Sequence, residues 1–84
     1  MKRVRKNELP DVVMELGVKI KAIIEDKGLK QREVAHDAGM DVENLRKYIR
    51  GGQEMKISTV FRISEALGIT ASELLNGLQT KKEG

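Results

Sequence analysis

Apolar residues recur along this chain at the spacing of one helix face, and five segments carry the pattern. In the first, Val13, Leu16, Ile20, Ile23 and Ile24 follow at helical steps. It begins between Asn7 and Pro10, since proline is tolerated in a first turn where its missing N–H has no partner. It stops at Lys27-Gly28, a cation followed by a C-terminal glycine. Gly17 lies inside it and, on propensity alone, weakens it by about 1 kcal/mol relative to alanine. The second segment, "KQREVAHDAG" (residues 30–39), is short. Val34, Ala35 and Ala38 form its stripe, and the alanines are small enough to admit a close neighbour. Lys30 is a poor N-cap, Glu33 is placed to reach back in capping-box fashion, and Gly39 ends the helix.

Asp41 is the expected N-cap of the third helix. At roughly 100° per residue, Leu45, Tyr48 and Ile49 fall on one side. Glu43, Arg46, Lys47 and Arg50 take the opposite arc, Val42 and Asn44 stand at its edges, and Gly51-Gly52 closes it. The fourth helix runs from Ile57 to Leu67, with Val60, Phe61, Ile63, Ser64 and Leu67 inward and Gly68 at its end. "TASE" (residues 70–73) opens the fifth as a capping box with Glu73 at the reciprocal position, and Leu74, Leu75 and Leu78 make it amphipathic. No stretch alternates with the period of a strand. The expectation is an all-α fold: a single compact five-helix domain over residues 7–78, between a disordered basic arm (1–6) and a polar tail (79–84).

With 84 residues the core is small, so each buried aliphatic side chain matters. There is no cysteine, hence no disulfide and no thiolate metal site; this suits a reducing compartment. No apolar run is long enough to span a bilayer, and no apolar h-region follows the basic N-terminus, so the expected location is cytoplasmic. The net charge of +3 is unevenly spread. Lys2, Arg3, Arg5 and Lys6 supply four positive charges, and Lys81, Lys82 and Glu83 leave one more, so about −2 remains for the body. Attraction to a polyanion must come from a local cluster and the arm.

Catalytic chemistry has little to work with. His36 is the one histidine, expected on an exposed face, with no serine partner and no second metal ligand at useful spacing. Met14, Met40 and Met55 read as gap-fillers. Tyr48 and Phe61, the aromatic residues, read as core, which removes the stacking platforms of RNA binders. Neither an enzyme nor a cofactor or metal is expected.

A helix, a glycine turn and a second helix with an outward polar face make a helix-turn-helix plan, in which the second helix enters the DNA major groove. There Asn44 can pair with adenine, Arg46 or Lys47 can reach guanine, Glu43 can accept from cytosine, and Val42 can touch a thymine methyl. The competing reading is a solvated face, in which Glu43 and Lys47 form an i,i+4 pair worth about 0.2–0.5 kcal/mol.

"LKQREVAHDAGMDVENLRKYIRGG" resembles the phage-repressor/Cro type of helix-turn-helix family, with matches at Leu29, Gln31, Glu33, Val34, Ala35, Ala38, Gly39, Leu45 and Gly51. The resemblance continues through "STVFRISEALGITASELL" and covers about Leu16 to Leu75. It implies a lambda-repressor-like fold with the motif at the second and third helices. It also implies a sequence-specific, double-stranded DNA-binding transcriptional regulator, a repressor at an operator. Carried over residue by residue, it places Val42, Glu43 and Lys47 where bases are read, with Asn44 and Arg46 beside them. Gln31 would touch a phosphate and brace the third helix, and Lys30 would add a phosphate contact. Arg50, the amides of Gly51 and Gly52, and Gln53 would meet phosphates beyond the recognition helix. The chain departs from the family at Lys30, where threonine or serine is usual, and at Asp41, where serine is common. Glu43 points an acid at a polyanion.

A homodimer would read a two-fold site, with Leu75 and Leu78 of the last helix as its surface and Leu74 assigned to the core. The near-neutral body and Glu43 motivate an alternative, a protein-interaction or antitoxin-like module that binds a partner such as a toxin and DNA only weakly. The basic arm would either follow the DNA groove or act as a solubilising tail.

Overall fold

Ile20, Leu45, Ile63 and Leu74 are withdrawn completely from solvent, and the helices are arranged around them. The computed structural model describes residues 11–78. It contains α1 (Asp11–Asp26), α2 (Gln31–Asp37), α3 (Val42–Ile49), α4 (Ile57–Leu67) and α5 (Ala71–Leu75), with no strand among the described residues. The main contacts close a ring: α1 packs on α3, α3 on α2, α2 on α4, α4 on α5, and α5 back on α1. Within the ring, Leu16, Ile20 and Ile24 of α1 meet Val34 and Ala35 of α2, Leu45, and Val60, Ile63 and Leu67 of α4. The all-helical architecture agrees with the pattern of apolar positions. The expected start of the first helix between Asn7 and Pro10, the basic arm and the polar tail lie outside the described residues.

Gly17 is where packing overrides propensity. A Cβ built there would lie 2.5 Å from the backbone oxygens of both Tyr48 and Ile49. No side chain fits, so the glycine that weakens α1 locally is what lets α1 press against the end of α3. Gly39 sets the turn of the motif. Its φ of +73 is left-handed, the conformation glycine adopts without a Cβ penalty. The Gly39 N–H donates to His36 (3.0 Å) and the Met40 N–H to Ala35 (2.9 Å), the paired bonds of a Schellman ending that hold α2 and α3 at a fixed angle.

Capping follows the sequence at one helix start and departs from it at two. Thr70 and Glu73 form the expected box: the Glu73 N–H donates to Thr70 Oγ1 at 3.0 Å and the Thr70 N–H to Glu73 Oε1 at 2.9 Å. The Thr70 backbone bond, then its side-chain bond, hold the Glu73 carboxyl below its ordinary value. Asp41 sits in the N-cap position with extended backbone, but its side chain accepts no capping bond. Lys30 provides none for α2 either, and no capping box with Glu33 forms there. At the other end of α5, Lys19 Nζ donates to the carbonyls of Glu73 (3.0 Å) and Asn76, which satisfies terminal carbonyls and ties α5 to α1.

Three apolar expectations need correction. Phe61 is not in the core: it is 55% exposed, and Ile57, one turn earlier, is 67% exposed. The buried stripe of α4 is Thr59, Val60, Ile63, Ser64 and Leu67, which leaves the Ile57–Phe61 row outside. Ser64 is accommodated because its hydroxyl donates to the Val60 carbonyl at 2.8 Å. Leu78 lies beyond α5, which stops at Leu75, although it still packs against the core. Met14 is exposed rather than filling a gap. Leu74 is fully buried, as expected, and no helix among the described residues is long and apolar enough to cross a membrane.

Candidate nucleic-acid interface

α3 has eight residues and fully buries one side chain, Leu45. Val42, Arg46, Tyr48 and Ile49 are half-buried against the neighbouring helices. Glu43, Lys47 and Arg50 are exposed on the arc that the helical wheel assigns to the outside, and Asn44, placed at its edge, is exposed with them, whereas Arg46, assigned to the same arc, is half-buried. Tyr48 is therefore an edge residue rather than full core.

The polar side chains are organised by Arg46. Its Nε donates to Gln31 Oε1 at 3.3 Å, and its Nη1 donates to Glu43 Oε2 at 2.9 Å. The brace expected between Gln31 and α3 is present, and Arg46 makes it. The Glu43–Lys47 pair of the competing, solvated-face reading is not formed; Glu43 pairs with Arg46 three residues on. Lys47 and Arg50 make no ion pair among the described residues.

Open hollows flank α3. Lys30, Gln31, Arg32, Glu33 and Arg46 line one of about 520 Å³ on the α2 side. His36, Asp41, Asn44, Tyr48 and Arg62 help to line one of about 710 Å³ on the α4 side. Arg32 and Arg62 are cations that the sequence reading did not single out. Their signal was present: each is a charged residue on an exposed position of a helix packed beside the motif.

At the end of α3 the glycine amides are already engaged. The Gly51 N–H donates to Tyr48 and the Gly52 N–H to Lys47, both at 3.0 Å. They complete the helix end by satisfying two of its terminal carbonyls, instead of standing free for phosphates. Gln53 is exposed beside this end, and its Nε2 donates to Tyr48 Oη at 3.3 Å. Lys30 is exposed at the start of α2. His36 is exposed with Asp37 3.7 Å away, and no group of three potential metal ligands occurs among the described residues.

A family model described as helix-turn-helix (HTH_3) matches residues 20–74. Among solved structures, the clp gene regulator ClgR from C. glutamicum is similar with a TM-score of 0.74 and 25% identity, over 80% of this chain and 87% of that one. The restriction-modification controller protein C.AhdI from Aeromonas hydrophila matches with a TM-score of 0.71 and 26% identity, over 76% of this chain and 96% of the other. A hypothetical transcription factor, NHTF from Neisseria, gives a TM-score of 0.71 and 26% identity, over 87% and 84%. No curated protein matches the sequence. The family match runs from the middle of α1 into α5 and contains the whole α2–turn–α3 unit, so the chain belongs to the phage-repressor/Cro-type helix-turn-helix family of DNA-binding proteins.

Proposed function

We propose that this protein regulates transcription by laying α3 in the major groove of a specific duplex. The observation that carries the reading is the exposed set of Glu43, Asn44, Lys47 and Arg50 on the second helix of the helix-turn-helix unit. Structural neighbours that are themselves regulators support it. Lys47 is the candidate guanine reader, Asn44 the adenine reader and Glu43 the acceptor for a base amino group; Val42, at the edge of the arc, meets a thymine methyl. Lys30, Gln31, Arg50 and Gln53 face phosphates, which set register and salt-sensitive affinity. Gly51 and Gly52 shape the turn, and their N–H groups donate within it rather than to phosphates. The finer reading is a repressor in the cytoplasm, which requires nothing beyond occupancy of an operator.

The test is a titration of labelled protein with duplex followed by amide chemical shifts. The expected perturbations concentrate on Val42–Arg50 and Lys30–Glu33 and spare Val18 and Ala22 on the outer face of α1. Perturbations confined to the basic N-terminal arm would contradict the reading.

One eight-residue helix reads only a few base pairs, so a second copy multiplies specificity. We assign the dimer surface to Leu75 and Leu78 with the exposed row of α4, away from α3, whose main partners are α1 and α2. Leu75 and Leu78 border an apolar groove of about 150 Å³ with Leu16, Met55 and Val60. Phe61 and Ile57 expose more than half of their surface on the same helix as Val60. A Phe61→Glu/Leu75→Glu double variant, altered at two exposed positions, is expected to stay folded and sediment as a monomer where the parent sediments as a dimer. A parent that is monomeric at concentrations saturating its DNA would contradict self-association. The apolar surface would then be assigned to a different protein, such as a toxin.

A further inference from the structure

We propose that Arg46 is a positioning residue rather than a base reader: one guanidinium fixes both the base-facing carboxylate of Glu43 and the phosphate-facing amide of Gln31. The inference rests on the DNA-binding reading above and assigns the specificity of the same site. The sequence placed Arg46 among the residues free to reach a base. The structure instead shows it half-buried, bonded through Nε to the first residue of α2 and through Nη1 to the second residue of α3.

Each bond has a consequence for what its partner can recognise. A guanidinium has donors and no acceptor. It therefore takes the oxygen of the Gln31 amide, because the flipped amide would set N–H against N–H. With Oε1 bound at 3.3 Å, Nε2 is turned away with both hydrogens available, and a phosphate oxygen is the partner such a group fits. On the other side, Arg46 holds Glu43 Oε2 at 2.9 Å and leaves Oε1 as an acceptor. The guanidinium also offsets the carboxylate charge, which explains how an acid is tolerated on a face that approaches phosphates. An ionised carboxylate accepts only, so at the base pair it meets it favours cytosine N4 or adenine N6 and rejects guanine O6 and thymine O4. Swinging the Arg46 fork into the groove to grip a guanine would release both contacts. Discrimination at one base pair thus depends on Arg46 without Arg46 touching it.

The test is a mutant cycle on base preference. The parent, Arg46→Met, Arg46→Lys, Glu43→Ala and the Arg46→Met/Glu43→Ala double variant are titrated by fluorescence anisotropy against the preferred duplex. Each is also titrated against duplexes carrying each alternative base pair at each position. The parent is expected to prefer an amino-bearing base at one position by about tenfold. Arg46→Met should lose that preference at the same position as Glu43→Ala, and the double variant should lose no more than either alone, the non-additivity of coupled groups. Arg46→Lys restores the charge but not the fork, and should not restore the preference. The salt dependence of binding should be unchanged in Arg46→Met. In the free protein, the Gln31 side-chain amide signals should move in Arg46→Met and stay in place in Lys47→Ala.

Additive losses at two different base pairs would overturn the assignment and make Arg46 an independent reader. A salt slope lower by about 0.9 would overturn it by making Arg46 a phosphate contact. Either result leaves the DNA-binding reading standing, whereas a parent with no preferred base at any position would sink both.

Discussion

A Gly17→Ala variant is expected to lose about 3 kcal/mol of stability, although the substitution improves a helix. Two local effects favour alanine: helix propensity, worth about 1 kcal/mol, and a smaller unfolded-state entropy. Against them stands the geometry of the α1–α3 crossing. The new Cβ would sit 2.5 Å from the carbonyl oxygens of Tyr48 and Ile49 and 2.9 Å from the carbonyl carbon of Ile49. These are backbone atoms, so no rotamer change relieves the contact. α1 must move away, and with it Leu16 and Ile20, which sit on either side of Gly17 along the buried face. Overpacking of this kind costs about 1–3 kcal/mol and occasionally more. In a domain of this size, about 4–8 °C of melting temperature goes with each kcal/mol, so a fall of roughly 12–24 °C is expected. Thermal and urea unfolding followed by circular dichroism measure it, with the urea slope unchanged. An alanine variant as stable as the parent would show that α1 and α3 do not approach as described. The crossing also carries the recognition helix, so the variant should bind DNA more weakly even where it remains folded.

Lys47→Ala should do the opposite: leave stability alone and damage recognition. Lys47 is exposed and makes no ion pair among the described residues, so its removal strands no partner. Exposed substitutions of this type change stability by less than about 0.5 kcal/mol. A lysine on a guanine is worth about 1–3 kcal/mol of discrimination, so binding to the preferred duplex should weaken by roughly tenfold to a hundredfold. The loss should come from one base pair: a duplex already altered there should bind parent and variant about equally. Arg50→Ala supplies the contrast. As a phosphate contact, it should weaken all duplexes alike and lower the salt slope by about 0.9. If Lys47→Ala weakens every sequence to the same degree, Lys47 is a phosphate contact and the base-reading role fails.

Much of this was legible before any coordinates. The polar arc of α3 follows from the positions of Leu45, Tyr48 and Ile49, because a short amphipathic helix can turn only one way onto its core. The Thr70–Glu73 box was legible because both partners are specified by residue type and spacing. What was not legible depends on contacts distant in sequence. Gly17 looks like a defect until the carbonyls of α3 are seen against it. Arg46, the partner of Glu43, also bonds Gln31 on another helix, a contact that spacing along α3 does not reveal. Phe61 stands at the edge of the α4 stripe, where periodicity finds the centre of a buried face but not its width. Asp41 has the right residue type for a cap, but capping also needs a side-chain rotamer that the sequence does not state. The glycine amides after α3 looked available because the sequence does not show which carbonyls they close on.

The central claim is that α3 reads a specific duplex, and selection of bound duplexes from a random pool by the purified protein tests it most directly. Parent, Lys47→Ala and Asn44→Ala would be carried through the same rounds. The account predicts a recovered two-fold site whose half-sites each lose one preference in each variant. Recovery of no common sequence, with only weak binding that vanishes as salt rises, would contradict it.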